Sequence, residues 1–151
     1  MKKILLCFVV GMLCLSGCSS KGNDVDVKKA VSTVLESKAD ELPATMEVDD
    51  QVLKDLFQID VADVEQYAIA IPMMNVQATE IIMIEAKDGK KDVIKKALDQ
   101  RMKTNEDTWS TYLPDQYELV KNRQEYESGN YFIIVIAEKA EDIMKELKKD
   151  F

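Results

Sequence analysis

The residues whose types and spacing best indicate chemistry lie near the N-terminus, where a thiol follows a leucine and two small side chains. Lys2 and Lys3 precede an apolar run from Ile4 to Leu15, after which Ser16-Gly17 leads to Cys18. A positive start, a short apolar stretch and small residues before a cleavage point make up a secretory signal peptide. The run is shorter than the ~20 apolar residues that a membrane-spanning helix needs. The cysteine predicts a lipoprotein signal peptide over residues 1–17. The alternative is an ordinary secretory signal with a cysteine there by chance.

Cysteine usage agrees with lipidation of Cys18. The chain holds three cysteines, and Cys7 and Cys14 lie inside the segment that would be removed. The mature protein would keep only Cys18, whose sulfur would carry a covalent diacylglycerol, and two acyl chains anchor a protein stably where one is marginal. No thiol is then left for a disulfide framework, a redox pair or a thiolate metal site.

The lipidated cysteine also predicts how the chain is organised. Residues 18–24 would form the lipidated cysteine and a polar tether that spans roughly 13 Å. Residues 25–151 would form a single domain, long enough to bury one core. The tether would hold this domain close to the outer face of the cytoplasmic membrane.

Two features of the composition exclude classes of function. The sequence contains no histidine, which removes Ser-His-Asp and Cys-His nucleophile systems and histidine-ligated zinc. The formal net charge is −8, before the two lysines of the signal peptide are lost. Because an acidic surface repels phosphate backbones, we expect no nucleic-acid partner.

Carboxylates are dense in the first half of the domain, but their spacing matches no recognised site. They lack the glycine and the spacing of an EF-hand loop, and nothing indicates the cleft that a glycosidase pair needs. We therefore expect helix capping and a solvated face, with no metal ion, no catalytic residue and no cofactor besides the diacylglycerol on Cys18. The carboxylates concerned are Asp49, Asp50, Asp55, Asp60, Asp63 and Glu65.

Arg101 falls on the apolar stripe of a predicted helix, three residues after Leu98. A guanidinium on such a face needs a carboxylate or carbonyl partner. The favoured interpretation is structural, in which Arg101 clamps the loop after its helix and the nearby aromatic side chains pack in the core. The functional alternative is an anion clamp in which Trp109, Tyr112 and Tyr117 form an aromatic wall, because arginine with aromatic residues is a common recognition mixture. These four residues are the candidate site for a ligand or partner.

Hydrophobic periodicity and turn signals predict an alternation of helices and strands after the tether. Two amphipathic helices come first, the second capped by Asp49, and the strands that follow are rich in β-branched residues. The predicted helices cover residues 26–42, 49–57, 90–107 and 138–149; the predicted strands cover 67–71, 80–86, part of 117–127, and 131–137; residues 109–116 are predicted as a loop.

The second half of the domain resembles the first when it is shifted by 50 residues. Residues 66–67, 81–84 and 92–95 then fall on residues 116–117, 131–134 and 142–145, which indicates a strand–strand–helix unit present twice. Two ββα units predict an α+β fold with a four-stranded, mainly antiparallel sheet, helices on one face and two helices at the N-terminus. The two N-terminal helices could cover the other face or an edge. The strand order is not determined by this pattern.

A set of aromatic and turn residues resembles a family of small lipoproteins from clostridia and related Gram-positive bacteria, catalogued as a domain of unknown function. The resemblance covers roughly residues 48–137 together with the cysteine motif, and it implies a surface-exposed domain tethered to the membrane. It implies no activity and transfers no catalytic residue. The residues that carry it are Arg101, Trp109, Tyr112, Pro114, Tyr117 and Gly129-Asn130-Tyr131, preceded by Tyr67, Pro72, Met73 and Glu80-Ile81-Ile82.

These observations predict a lipid-anchored, non-catalytic accessory domain that binds an envelope protein or a small ligand, at the sheet face or around residues 101–117. Two alternatives remain at the level of the sequence. One is an envelope enzyme that works through carboxylates, and the other is a structural spacer without a ligand.

Substitution of Cys18 tests the predicted anchor. Cys18→Ser should abolish incorporation of an alkyne-labelled fatty acid, because no sulfur remains to accept the diacylglycerol. Cys14→Ser, inside the segment to be removed, should leave the label unchanged. Labelling of Cys18→Ser to the extent of the wild type would show that the lipid is not on this residue.

Overall fold

A computed structural model describes residues 25–151 of the chain, so the predicted signal peptide, Cys18 and the tether lie outside the described residues. The described part is an α+β domain. Its elements are α1 (Val27–Ser37), β1 (Thr45–Glu47), α2 (Asp50–Phe57), a 3₁₀ turn (Val61–Asp63), β2 (Val64–Pro72), β3 (Glu80–Ala86), α3 (Lys91–Tyr112), α4 (Pro114–Lys121), β4 (Gln124–Ser128), β5 (Tyr131–Ile136) and α5 (Ala140–Leu147). None of these helices combines the length and the apolar character that crossing a membrane requires.

The described strands form one antiparallel sheet of five, in the order β1-β2-β3-β5-β4. Strand β3 lies at the centre, and Ile81 to Ile84 are fully buried. Because successive side chains of a strand point to opposite faces, an unbroken apolar run indicates a strand that is covered on both faces.

The helices cover both faces of the sheet, so the prediction of helices on one face is wrong. Helices α1 and α5 pack with Ile81 and Met83 on one face, which we call the α1 face. Helices α2, α3 and α4 pack with Ile82 and Ile84 on the other, which we call the α3 face. The physical reason is the sequence of β3 itself, which offers an apolar row to each side.

The N-terminal part differs from two successive helices followed by four strands. Helix α1 ends at Ser37 rather than at residue 42, and β1 lies between α1 and α2. Pro43 disfavours helical geometry in the residue before it, and the chain turns at residues 38–42. A three-residue edge strand carries too little periodicity to be recognised in a sequence. The cap of α2 is confirmed, because the Asp49 side chain accepts a hydrogen bond from the Val52 amide at 2.9 Å.

The predicted loop at residues 109–116 is also wrong, whereas the strand predicted within residues 117–127 is present as β4, which begins at Gln124. Helix α3 continues to Tyr112, and Pro114 begins α4, where a proline at the first helical position costs no hydrogen bond. The 50-residue repeat therefore fails at its first element, since Tyr67 lies on a strand and Tyr117 on a helix. Its second and third elements do match as strands and helices, although α3 and α5 pack on opposite faces.

The side chain of Gln66 fixes where the described chain joins the sheet. Its amide nitrogen donates to the Val25 carbonyl at 2.8 Å and to Glu85 Oε2 at 2.7 Å, and its oxygen accepts from the Val27 amide at 3.0 Å. We call this the proximal end of the sheet. The opposite, distal end is where β2 finishes at Pro72, about 20 Å away at the rise of an extended strand.

Candidate functional site

Arg101 is engaged inside the fold rather than open to solvent. Its guanidinium makes a two-pronged ion pair with Glu80 at the start of β3, with Nη2 on Oε1 and Nε at 3.3 Å from Oε2. The Glu80 side chain is 4% exposed and that of Arg101 is 13% exposed. The guanidinium also lies 5.1 Å from the centre of the Phe57 ring on α2. The prediction that Arg101 needs a carboxylate or carbonyl partner is confirmed, and the partner is the carboxylate of a strand residue rather than a group in the loop after α3.

Asn105 lies one turn after Arg101 and is also buried. Its side-chain nitrogen has no hydrogen-bond partner among residues 25–151. A buried donor left without a partner costs about 1–3 kcal/mol. The sequence reasoning missed Asn105, although its spacing from Leu98, Met102 and Trp109 places it on the same helical stripe.

The three aromatic candidates lie in different environments. Trp109 is buried in the core of the α3 face, and Tyr112 is exposed with its ring centre 5.9 Å from that of Trp109. Tyr117 is half-buried on α4, with Lys121 Nζ 5.0 Å from its ring centre. Arg101 and Trp109 are eight residues apart on one helix, or about 12 Å along its axis. The structure therefore brings Trp109 and Tyr112 together and leaves Arg101 on Glu80.

Exposed apolar side chains gather at the distal end of the sheet. Met46 pairs with Ile71 across β1 and β2, and the Met73 amide donates to the Ala44 carbonyl at 2.9 Å. Met46 and Met73 therefore lie on the same side of this edge, and Met74 and Val76 follow in the turn. We call these four residues, Met46, Met73, Met74 and Val76, the methionine surface; Met73 is 66% exposed and Met74 is 59% exposed.

Tyr112 lies at the same end of the domain. The Gln116 side chain accepts a hydrogen bond from the Ala78 amide at 2.9 Å, which joins the first turn of α4 to the segment between β2 and β3. Tyr112 precedes this turn by only a few residues. Five of the eight large hydrophobic side chains that are exposed in residues 25–151 thus lie at the distal end.

Most of the dense carboxylates serve as caps or as hydrogen-bond and ion-pair partners. Asp60 accepts from the Ala62 amide at 2.9 Å, and Asp63 binds Lys90 at 2.7 Å, which raises the pKa of that lysine. Asp50 accepts from the Tyr67 hydroxyl at 2.6 Å, and burial together with this bond raises the pKa of Tyr67. Across residues 25–151, no three acidic or thiol side chains converge as ligands for a metal ion.

The Arg101–Glu80 pair yields a stability test. Arg101→Met should lower the free energy of unfolding by about 3–5 kcal/mol, because the Glu80 carboxylate stays buried without its counter-charge. The double variant Arg101→Met/Glu80→Leu should recover most of this loss, since it removes both charges. Chemical denaturation measures the free energy of unfolding of both variants.

Arg123 provides the matched control for this test. It pairs with Glu106 and Glu125, both far more exposed than Glu80, so Arg123→Met should cost about 1 kcal/mol or less. An Arg101→Met loss no larger than that of Arg123→Met would contradict the importance of the buried pair.

Comparison with known proteins assigns this chain to a family. No curated protein and no solved structure matched the chain. A match to a family extends over residues 37–137, which includes β1 to β5 and therefore the Arg101–Glu80 pair and the methionine surface. The predicted membership of a family of unknown function is confirmed in that form. The chain belongs to the family described as Domain of unknown function (DUF4358).

Proposed function

We propose that this protein is a non-catalytic binding domain, held by lipid on Cys18 at the outer face of the cytoplasmic membrane, that captures a partner protein at the methionine surface. The observation that carries the proposal is the gathering of exposed apolar side chains at the distal end of the sheet. Single exposed apolar residues are common, whereas contiguous patches indicate contact sites.

The chemistry of this surface suits a protein partner. Methionine side chains are unbranched and polarizable, so they adapt to different partner shapes. Tyrosine adds a rigid ring with a polar tip, which is enriched where interfaces concentrate their binding energy. Met73, Met74 and Tyr112 supply these two properties at the same end.

The position of the surface also supports the proposal. The described chain begins at Val25, which Gln66 holds at the proximal end. A tether over residues 18–24 would join the domain there, so the membrane would lie on the proximal side. The methionine surface lies about 20 Å further along the sheet, at the end directed away from the anchor.

The distribution of carboxylates supports binding over catalysis. A carboxylate-dependent enzyme needs two acidic groups that face one cleft and differ in proton affinity. Among residues 25–151 the one buried carboxylate is Glu80, and Arg101 already neutralises it. Asp49, Asp60 and Asp63 are engaged in caps and in the pair with Lys90.

Photo-cross-linking in living cells tests the proposed surface. A photoreactive side chain at Met74 should give one discrete cross-linked product of higher mass, and Met73→Asp in the same chain should weaken that product several-fold. The change places a charge in an apolar contact, where it would be desolvated.

Val93 is the matched control position. It is an exposed apolar side chain at 49%, but it lies in the first turn of α3, at the other end from Tyr112. The same photoreactive group at Val93 should give no such product. Equal products at both positions, or none at Met74, would contradict the proposed surface.

A further inference from the structure

A groove follows the outer edge of β2, between α1 and the first turn of α2. A pocket of about 390 Å³ forms one part of it and continues into a shallow, wide-mouthed depression. Both parts share the lining residues Lys28, Glu47, Val48 and Tyr67, so the groove is continuous. This groove lies nearer the proximal end and is separate from the methionine surface.

The floor of the groove is strand edge that β1 leaves uncovered. β1 pairs only with residues 70–72 of β2, and the Val48 amide adds one bond to the Ile69 carbonyl at 2.9 Å. After Val48 the chain turns away into α2. Residues 64–68 of β2 therefore have a strand neighbour on the β3 side alone.

The direction of the free backbone groups follows from the register. In an antiparallel pair, alternate residues direct their N–H and C=O groups to the same neighbour. Ile69 and Met73 direct their backbone groups to the β1 side. Tyr67 precedes Ile69 by two residues, so its backbone groups point to the same side. The N–H and C=O of Tyr67 consequently face the groove, as a donor and an acceptor that an added strand would meet.

The two walls of the groove differ in charge. The α1 wall presents Lys28 and Lys29 together with Asp26, and Glu47 of β1 lies beside them; neither lysine forms an ion pair within residues 25–151. The α2 wall presents Asp49 and Asp50. The Tyr67 hydroxyl donates to Asp50, and this bond holds the α2 wall against the strand edge.

We propose that the groove binds an extended segment of a partner protein as a sixth strand. An acidic side chain of this segment would contact Lys28 and Lys29. The residue that follows it would be basic and would contact Asp49 and Asp50. Neighbouring residues of a strand point to opposite faces, and the α1 and α2 walls stand on opposite faces of this sheet. The occupant is thus a peptide in which an acidic and a basic residue are adjacent. Strand addition supplies backbone hydrogen bonds, and the side chains give specificity.

Binding of synthetic peptides to the mature protein in detergent tests the proposal. The probe is the blocked peptide Thr-Val-Glu-Lys-Val-Thr, with Thr-Val-Glu-Glu-Val-Thr as its acidic counterpart, and calorimetry measures both affinities. The first peptide should bind at least about tenfold more tightly than the second, since the second places an acid against Asp49 and Asp50. Equal affinities, or no binding of the first at millimolar concentration, would overturn the proposal.

Methylation of the peptide backbone separates strand addition from plain charge attraction. Two versions of the probe carry N-methyl groups on one or the other alternate set of residues. Because only one set faces the β2 edge, one version should bind and the other should lose binding. Equal behaviour of the two versions would overturn the added strand.

Variants of the protein assign the peptide to this groove. The double variant Lys28→Glu/Lys29→Glu should lower the affinity for the probe peptide at least about tenfold. Lys96 is an exposed lysine on α3, and Lys96→Glu should leave this affinity unchanged. Met73→Asp should also leave it unchanged, so a failure of the methionine surface is distinguishable from a failure of the groove. The free protein could instead form a dimer that the Lys28→Glu/Lys29→Glu variant dissociates. That result would show that the β2 edge binds a second copy of the chain, and it would overturn the assignment to a partner protein.

Discussion

The burial of β3 on both faces is the constraint on which the fold depends. Ile81 and Met83 fill the α1 face, and Ile82 and Ile84 fill the α3 face, so neither row can be left in water. Burying one such side chain fully is worth about 1.5–3 kcal/mol. Two helical layers are therefore required, and the sheet keeps free polar groups only at its edges and ends.

The functional surfaces follow from that enclosure. Gln66 attaches the start of α1 to the proximal end, which fixes the direction in which the domain extends from its N-terminal side. The distal end carries the methionine surface, on the edge strand β1 and on the turn after β2. The short reach of β1 leaves the Tyr67 backbone open beside α2. Both candidate contact regions thus arise where the layers stop, rather than inside a deep cavity.

The sequence could predict the features that local pattern controls, but not those that depend on distant residues. Local chemistry predicts the Asp49 cap, the strands around residues 67–71, 80–86 and 131–137, and the need of Arg101 for an oxygen partner. The run from Ile81 to Ile84 could have predicted two covered faces, but the apparent repeat favoured one. Pro114 by itself fits a loop and the start of a helix equally well, and in the structure it starts α4. The identity of Glu80 as the partner of Arg101 depends on how α3 packs on the sheet, and the gathering of Met46 with Met73 depends on strand register. No local pattern reveals either of these.

Hydrogen exchange of individual backbone amides, measured by NMR, tests the proposed combination of a sealed centre and an open edge. The amides of Ile82 and Ile84 should exchange only through global unfolding, because β3 pairs on both sides and is covered on both faces. The Tyr67 amide should exchange orders of magnitude faster than its neighbour Ala68, whose backbone faces β3. Equal protection of Tyr67 and Ala68 would contradict the open edge, and rapid exchange at Ile82 would contradict the two-layer enclosure.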